Sequence, residues 1–417
     1  MTQPNRRAPL AAHVRAAGRT QAAQPQTRVN ADQALGGVGN RRGFFAKSSM
    51  AIAGGAVLAA EQTIARAAHA VGGDTIRVGL IGCGARGKTA AIEALQTNHL
   101  LNSGRVELVA MADAFGSQLQ SAYRAINSRQ SDFVDVRDRR FVGMTAWRQL
   151  LTTDVDLIVL AAPPVFRADQ FAAAIEAGKH VMMESHIAVD QAGLDKIQAA
   201  AIAARAQRLV VASGLQRRHE VRSKQTIDQL RNGRIGQFQD AVIHASQLGT
   251  PPLADRNKAR SGDFELKHWT HFQWAGGDVV DHRLLHSLDI VNWAFNATPV
   301  CVEADDKTIR FDYPDARTAT VRYGTDRKSR RCSKEFFEGS LGSCDFSHGL
   351  IRDAGGQVAW QSDAKEIVGK GWQAQFNAMI AAIRTGEPFD ESELAIQSTT
   401  TWLAGREASL WVASLRG

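Results

Sequence analysis

The chain has 417 residues, 44% of them hydrophobic and 22% charged, and a formal net charge of +8. The apolar fraction excludes a disordered chain, the length exceeds one ordinary core, and no run of about 18 uncharged apolar residues supports a membrane-spanning helix. The charge is unevenly placed: residues 1–70 hold nine basic and two acidic side chains, a net +7, which leaves +1 for the other 347 residues. A folded part this close to neutral offers no broad basic surface, so no nucleic-acid partner is expected. The four cysteines, Cys83, Cys301, Cys332 and Cys344, have no zinc-like spacing and indicate neither a disulfide framework nor a metal module.

Within the leader, Asn40-Arg41-Arg42-Gly43-Phe44-Phe45-Ala46-Lys47 precedes a mildly apolar stretch, Met50 to Ala60, and then the small residues of Ala68-His69-Ala70. Basic region, apolar region and A-x-A end follow the order of a secretory leader. The paired arginines resemble a twin-arginine export signal. Residues 1–70 are therefore expected to be a signal segment read by the twin-arginine export machinery, and the protein to be exported and periplasmic. Without a working leader it would be cytoplasmic. The competing reading is a basic arm that binds nucleic acid.

The next apolar run, Ile76-Arg77-Val78-Gly79-Leu80-Ile81, reads as a buried strand. It enters Gly82-Cys83-Gly84-Ala85-Arg86-Gly87, after which Lys88 to Leu95 reads as a helix. Strand, G-x-G-x-x-G and helix in succession form the context of a dinucleotide-binding turn. Gly82 permits the tight turn, Gly84 lets the backbone approach a pyrophosphate, and Gly87 lets helix and strand pack closely, with Arg86 counted among the cofactor-binding residues. A second strand, Val106 to Ala112, ends at Asp113. A carboxylate there accepts both ribose hydroxyls of an adenosine and repels a 2′-phosphate, which favours NAD over NADP.

Further along, Val155 to Ala162 reads as a strand and Pro163-Pro164 as its end, with a helix from about Arg167 to Ala177. A short strand, His180 to Met183, leads into Glu184-Ser185-His186; a helix near Asp190 to Ala206 and a strand at Leu209 to Ala212 complete the alternation. This pattern implies a doubly wound parallel sheet whose ligand lies at the carboxyl ends of the strands, near Pro163, Pro164 and Glu184. Gln216-Arg217-Arg218-His219 follows, where Arg217 could clamp a substrate or simply cap the next helix.

Stretches 239–246, 300–311, 317–323, 333–339 and 357–361 suit a sheet with one buried face, and 283–295, 372–385 and 393–413 suit helices. His268 to Trp274 supplies aromatic rings that suit either a sugar site or a buried contact. His282 and His286 are four residues apart, as in a two-histidine metal face, but no glutamate or cysteine ligand accompanies them and no metal is expected.

The stretches IRVGLIGCGARGK, VELVAMADAF, VDLIVLAAPPVFRADQFAAAIEAGKHVMMES, GLQRRHE, WAGGDVVDHRLLHSLDIVNWAF and AIRTGEPFDESELAIQSTTTWLAGREASLW resemble the glucose–fructose oxidoreductase / inositol dehydrogenase / MocA family. The resemblance implies an α/β protein with two domains after the leader. An NAD(P)-binding Rossmann domain would occupy 71–215. A substrate-binding and oligomerisation α/β domain with an open, mostly antiparallel sheet would occupy 216–417. It further implies a homo-oligomer that moves hydride between NAD(H) and a CH–OH carbon of a sugar or cyclitol.

Two departures fall on the chemistry. The family's Glu-Lys-Pro is Glu184-Ser185-His186 here, so the lysine expected to transfer a proton or orient substrate is a serine. His186, which titrates near neutrality, is the neighbouring substitute. The family's acid also lies four residues before its histidine, whereas Asp281 lies five before His286 and His282 holds the usual place. The resemblance assigns His286 as the residue that exchanges the hydroxyl proton, with Asp281 beside it, and Arg217, His282 and Asp289 on the substrate side. The alternative is a nucleotide-binding member with lost or altered redox activity, including an NAD-dependent glycoside-cleaving hydrolase or lyase.

Overall fold

The structure is a computed structural model that describes residues 75–101, 104–245, 262–276, 280, 283–324, 334–364 and 370–414. The expected leader, Asp281 and His282 lie outside these residues. No helix among them is long and apolar enough to cross a membrane.

Six strands form the first sheet: β1 (Ile76–Ile81), β2 (Val106–Asp113), β3 (Arg140–Val142), β4 (Leu157–Leu160), β5 (His180–Met183) and β6 (Val211–Ser213). Their order is β3-β2-β1-β4-β5-β6 and every pairing is parallel. This is the dinucleotide-binding order, in which the chain reverses direction across the sheet on either side of β1. All four residues of β4 and of β5 are buried, as strands covered on both faces must be. The covering helices are α1 (Ala85–Leu100), α2 (Gly116–Gln130), α3 (Ala146–Leu151), α4 (Pro164–Glu176) and α5 (Gln191–Ala206). Strand β3 escapes a reading of hydrophobic pattern because it is a three-residue edge strand with no buried residue.

After α6 (Val221–Arg231) comes a second sheet built from β7 (Phe238–Ala245), β8 (Cys301–Ala304), β9 (Thr308–Asp312), β10 (Thr318–Tyr323), β11 (Lys334–Gly339), β12 (Gly342–Asp345), β13 (Leu350–Asp353) and β14 (Val358–Gln361). The order is β14-β13-β12-β11-β7-β10-β9-β8, antiparallel except where β10 runs parallel to β7. The stretch 300–311, a single run in the sequence, is a hairpin. Asp305 turns it by accepting the N–H groups of Lys307 and Thr308, each at 2.8 Å.

One face of this sheet, with Ile243, Phe311, Val321 and Phe337 buried, packs under α8 (Leu284–Phe295) and α10 (Ser392–Ser414). The short α7 (Gly262–Lys267) precedes α8. Helix α9 (Lys370–Thr385) instead returns to the first sheet's layer, where Phe376, Met379, Ile380 and Ile383 join Val78, Leu80, Leu95 and Met111 in one core. The chain thus visits the first domain, builds the second, and closes back on the first.

His180 opens β5 inside this core, its Nδ1 accepting Val210 N–H at 2.9 Å. Burial, partly opposed by Asp156, pushes its pKa from 6.5 down to about 4. As pH falls below about 6.5 the unfolded chain takes up a proton that the folded chain refuses until about pH 4, so stability declines across that window. His180→Gln keeps an acceptor without a titrating group. It is expected to flatten the pH dependence of the urea midpoint across the same window.

Candidate functional site

The site begins where β1 meets α1. Gly82 has φ +91°, and a Cβ there would lie 2.3 Å from Ala162 N; a Cβ on Gly87 would lie 1.9 Å from the Gly82 carbonyl oxygen. These glycines let loop, helix and β4 end touch through backbone. Gly84 differs: nothing lies within 4 Å of a Cβ built on it, and α1 starts there without a side-chain cap. The uncapped amides of the first turn of α1 therefore border open space with a partial positive charge, which fits a phosphate group.

Asp113, at the end of β2, accepts Cys83 N–H at 2.6 Å on Oδ2 and Phe115 N–H at 2.8 Å on Oδ1. Burial raises its pKa, while those two amides pull the other way. The carboxylate ties the glycine loop to β2, and each oxygen keeps a lone pair for a further donor such as a ribose hydroxyl.

A cavity of about 250 Å³ opens at this edge of the sheet. Of the residues expected from sequence, Gly82, Gly84, Asp113 and Pro163 line it. Its remaining walls include Phe115, Met144, Trp147 and Phe166 from the first domain, and Leu266, Lys267 and Trp269 from the segment around α7. Trp269 belongs to the aromatic stretch that the sequence singles out. Nothing in the sequence points to Lys267 or Met144, because each reaches the cavity from a loop or helix end without periodicity.

Several expected site residues do other work. Arg86 turns away from the cavity, donating to Glu184 at 2.7 Å and Glu93 at 2.6 Å beneath the ring of Trp372. It is paired with Glu184, and neither residue lines the cavity. Pro164 starts α4 and packs against Gly276. Ser185 donates its hydroxyl to the Gly214 carbonyl at 2.9 Å. His186 is 1% exposed and stacks on Trp402 with centroids 4.2 Å apart, and its carbonyl accepts from Arg167. The imidazole does not line the cavity, and neither does that of His286.

Arg217 and Asp289, expected on the substrate side, are each engaged in an ion pair. Arg217 grips Glu335 of β11 bidentately at 2.6 and 2.9 Å, and Ser287 and Ser347 add hydroxyl donors to the same carboxylate. Burial alone would raise the Glu335 pKa; Arg217 and the two hydroxyls outweigh it and hold the carboxyl below its ordinary value. Arg218 grips Asp289 of α8 at 2.8 and 2.9 Å, with Ser398 at 2.6 Å, and lies over the ring of Trp293. The two arginines fasten the exit of the parallel sheet to the second domain. His286 is half-buried in the first turn of α8, on the face that carries Asp289 three residues later.

Residues 76–213 match the GFO_IDH_MocA family, described as an oxidoreductase family with an NAD-binding Rossmann fold. The first domain is an NAD-binding Rossmann domain. No curated protein matches the chain in sequence. Among solved structures, the chain is similar to an oxidoreductase domain protein from Kribbella flavida, with TM-score 0.64 and 18% identity over 82% of this chain and 98% of that one. It is similar to levoglucosan dehydrogenase in complex with NADH and levoglucosan, with TM-score 0.61 and 16% identity over 82% and 98%. It is also similar to an aldose-aldose oxidoreductase from Caulobacter crescentus complexed with glycerol, with TM-score 0.60 and 18% identity over 81% and 98%. At these identities the likeness establishes the fold of both halves.

The glycines separate cleanly by experiment. Gly82→Ala is expected to destabilise the fold by about 2–4 kcal/mol through backbone overlap and strain. Gly84→Ser, which retains a good N-cap, is expected to leave the unfolding midpoint unchanged while weakening NADH binding. Arg217→Met is expected to cost on the order of 3 kcal/mol of stability by stranding Glu335, visible in urea unfolding without any substrate.

Proposed function

We propose that the protein is a nicotinamide-dependent oxidoreductase that moves hydride between NAD(H) and a carbinol or carbonyl carbon of a sugar or cyclitol. The observation that carries this reading is the cavity on the carboxyl edge of the Rossmann sheet, lined by Asp113 and by a wall from the second domain. Such a cavity holds a dinucleotide beside a separate substrate-binding half. The α1 amides at Gly84 meet the phosphates, and Asp113 accepts the adenosine ribose hydroxyls, which selects NAD over NADP. Bound NAD supplies the hydride acceptor or donor. His286, held by the docking of α8, takes or returns the proton of the reacting hydroxyl. Likeness in fold to levoglucosan dehydrogenase and to an aldose-aldose oxidoreductase supports the substrate class.

A second reading has a specific observation behind it. The position of the family lysine is Ser185, and its hydroxyl is engaged by the Gly214 carbonyl, so it offers no charge to a substrate. A protein that binds the nucleotide without net redox turnover, or that oxidises a sugar transiently, cleaves a substituent and reduces it again, fits that serine. We further propose export through the twin-arginine leader and a homo-oligomer.

Denaturing the purified protein and identifying the released nucleotide tests the first step; NAD(H) is expected, and failure to hold or bind any nicotinamide dinucleotide rejects the reading. With a polyol panel, His286→Ala is expected to lower turnover by about 10²–10⁴-fold. Ser185→Lys is expected to raise it. Bond cleavage with no net change in NADH absorbance would favour the second reading.

A further inference from the structure

The first domain gives the cavity a carboxylate and no cationic side chain. Among the described residues lining it, the charged side chains are Asp113 and Lys267. The basic residue nearest in sequence to the glycine turn, Arg86, is held by two carboxylates, Glu184 and Glu93, and does not line the cavity. A dinucleotide carries two negative charges on its diphosphate. The first domain thus supplies backbone amides and a carboxylate, but no cationic side chain. Lys267, the last residue of α7, reaches in from the other domain with its ammonium 4.5 Å from the centroid of the Phe115 ring. Phe115 is itself fixed by the bond from its N–H to Asp113. No ion pair involving Lys267 occurs among the described residues, so its charge is not already neutralised there.

We propose that Lys267 is the counter-charge to the diphosphate of the bound dinucleotide, so that the second domain takes part in holding the cofactor. This rests on the nucleotide reading of the cavity. The Phe115 ring serves as the seat on which the lysine waits: a cation over an aromatic face keeps its orientation without losing its charge. The segment around α7 also supplies Leu266 and Trp269 to the same wall.

The test compares NADH, NADPH, ADP and adenosine binding to the full protein and to Lys267→Gln and Lys267→Arg, by fluorescence and calorimetry. Lys267→Gln is expected to weaken NADH and ADP on the order of tenfold, the loss of one charge-assisted contact, and to leave adenosine unchanged. Lys267→Arg is expected to restore most of the loss, and the salt dependence of NADH affinity is expected to shrink in the Gln variant. An equal loss for adenosine would overturn the proposal, since the lysine would then act by packing on Phe115. A loss confined to NADPH would also overturn it, because the lysine would then read the ribose 2′ position. Wild-type protein that binds neither NADH nor ADP would instead reject the nucleotide reading itself. Unaltered NADH affinity in Lys267→Gln, with wild type binding normally, would reject the role of Lys267 alone.

Discussion

Two consecutive arginines leave the parallel sheet just after β6, and each is captured by an acid of the second domain. Arg217 holds Glu335 on β11 and Arg218 holds Asp289 on α8, both bidentately, with the two carboxylates buried and the arginines partly so. A buried charge without its partner is strongly unfavourable, so these pairs allow little variation in how the sheet exit meets α8 and β11. The first turn of α8 carries His286, so its place depends on the same docking. Helix α9 adds an apolar counterpart by packing Phe376, Met379 and Ile380 into the Rossmann layer.

Electrostatics inside the first domain follow a similar logic. Arg86 sits in the glycine turn, yet Glu184 and Glu93 draw it behind the loop, leaving the cavity side to backbone amides. Asp113 then does two jobs with one carboxylate. It ties Cys83 and Phe115 into place, and it retains lone pairs toward the cavity. A site arranged this way favours an anion near Gly84 and hydroxyl donors near Asp113. It draws its cationic side chain from across the domain boundary, at Lys267.

The stretch Glu184-Ser185-His186 is where sequence pattern and chemistry part. Glu184 is a buried partner of Arg86, Ser185 is bonded to the Gly214 carbonyl, and His186 is stacked on Trp402 in the interior. None of the three presents a titrating side chain to the cavity. His286, on α8, is likewise not among the residues lining the cavity, and its part in proton transfer belongs to the proposal.

What the sequence determined by itself was the part of the molecule governed by short-range rules. Alternation of apolar strands with helices, a glycine turn after β1 and an acid at the end of β2 suffice for the Rossmann half, because period, turn sterics and parallel burial are all written within a few dozen residues. The same rules located most strands of the second sheet and the helix that carries His286. Tertiary structure decided the partners. Arg217, Asp289, Arg86 and Glu184 look like site residues because charged groups beside glycine turns and strand ends often are. Whether a charge faces a ligand or another buried charge depends on residues such as Glu335 and Ser398, more than 100 positions away. Lys267 is the converse case: unremarkable in a local pattern, and placed at the cavity only by the docking of two domains.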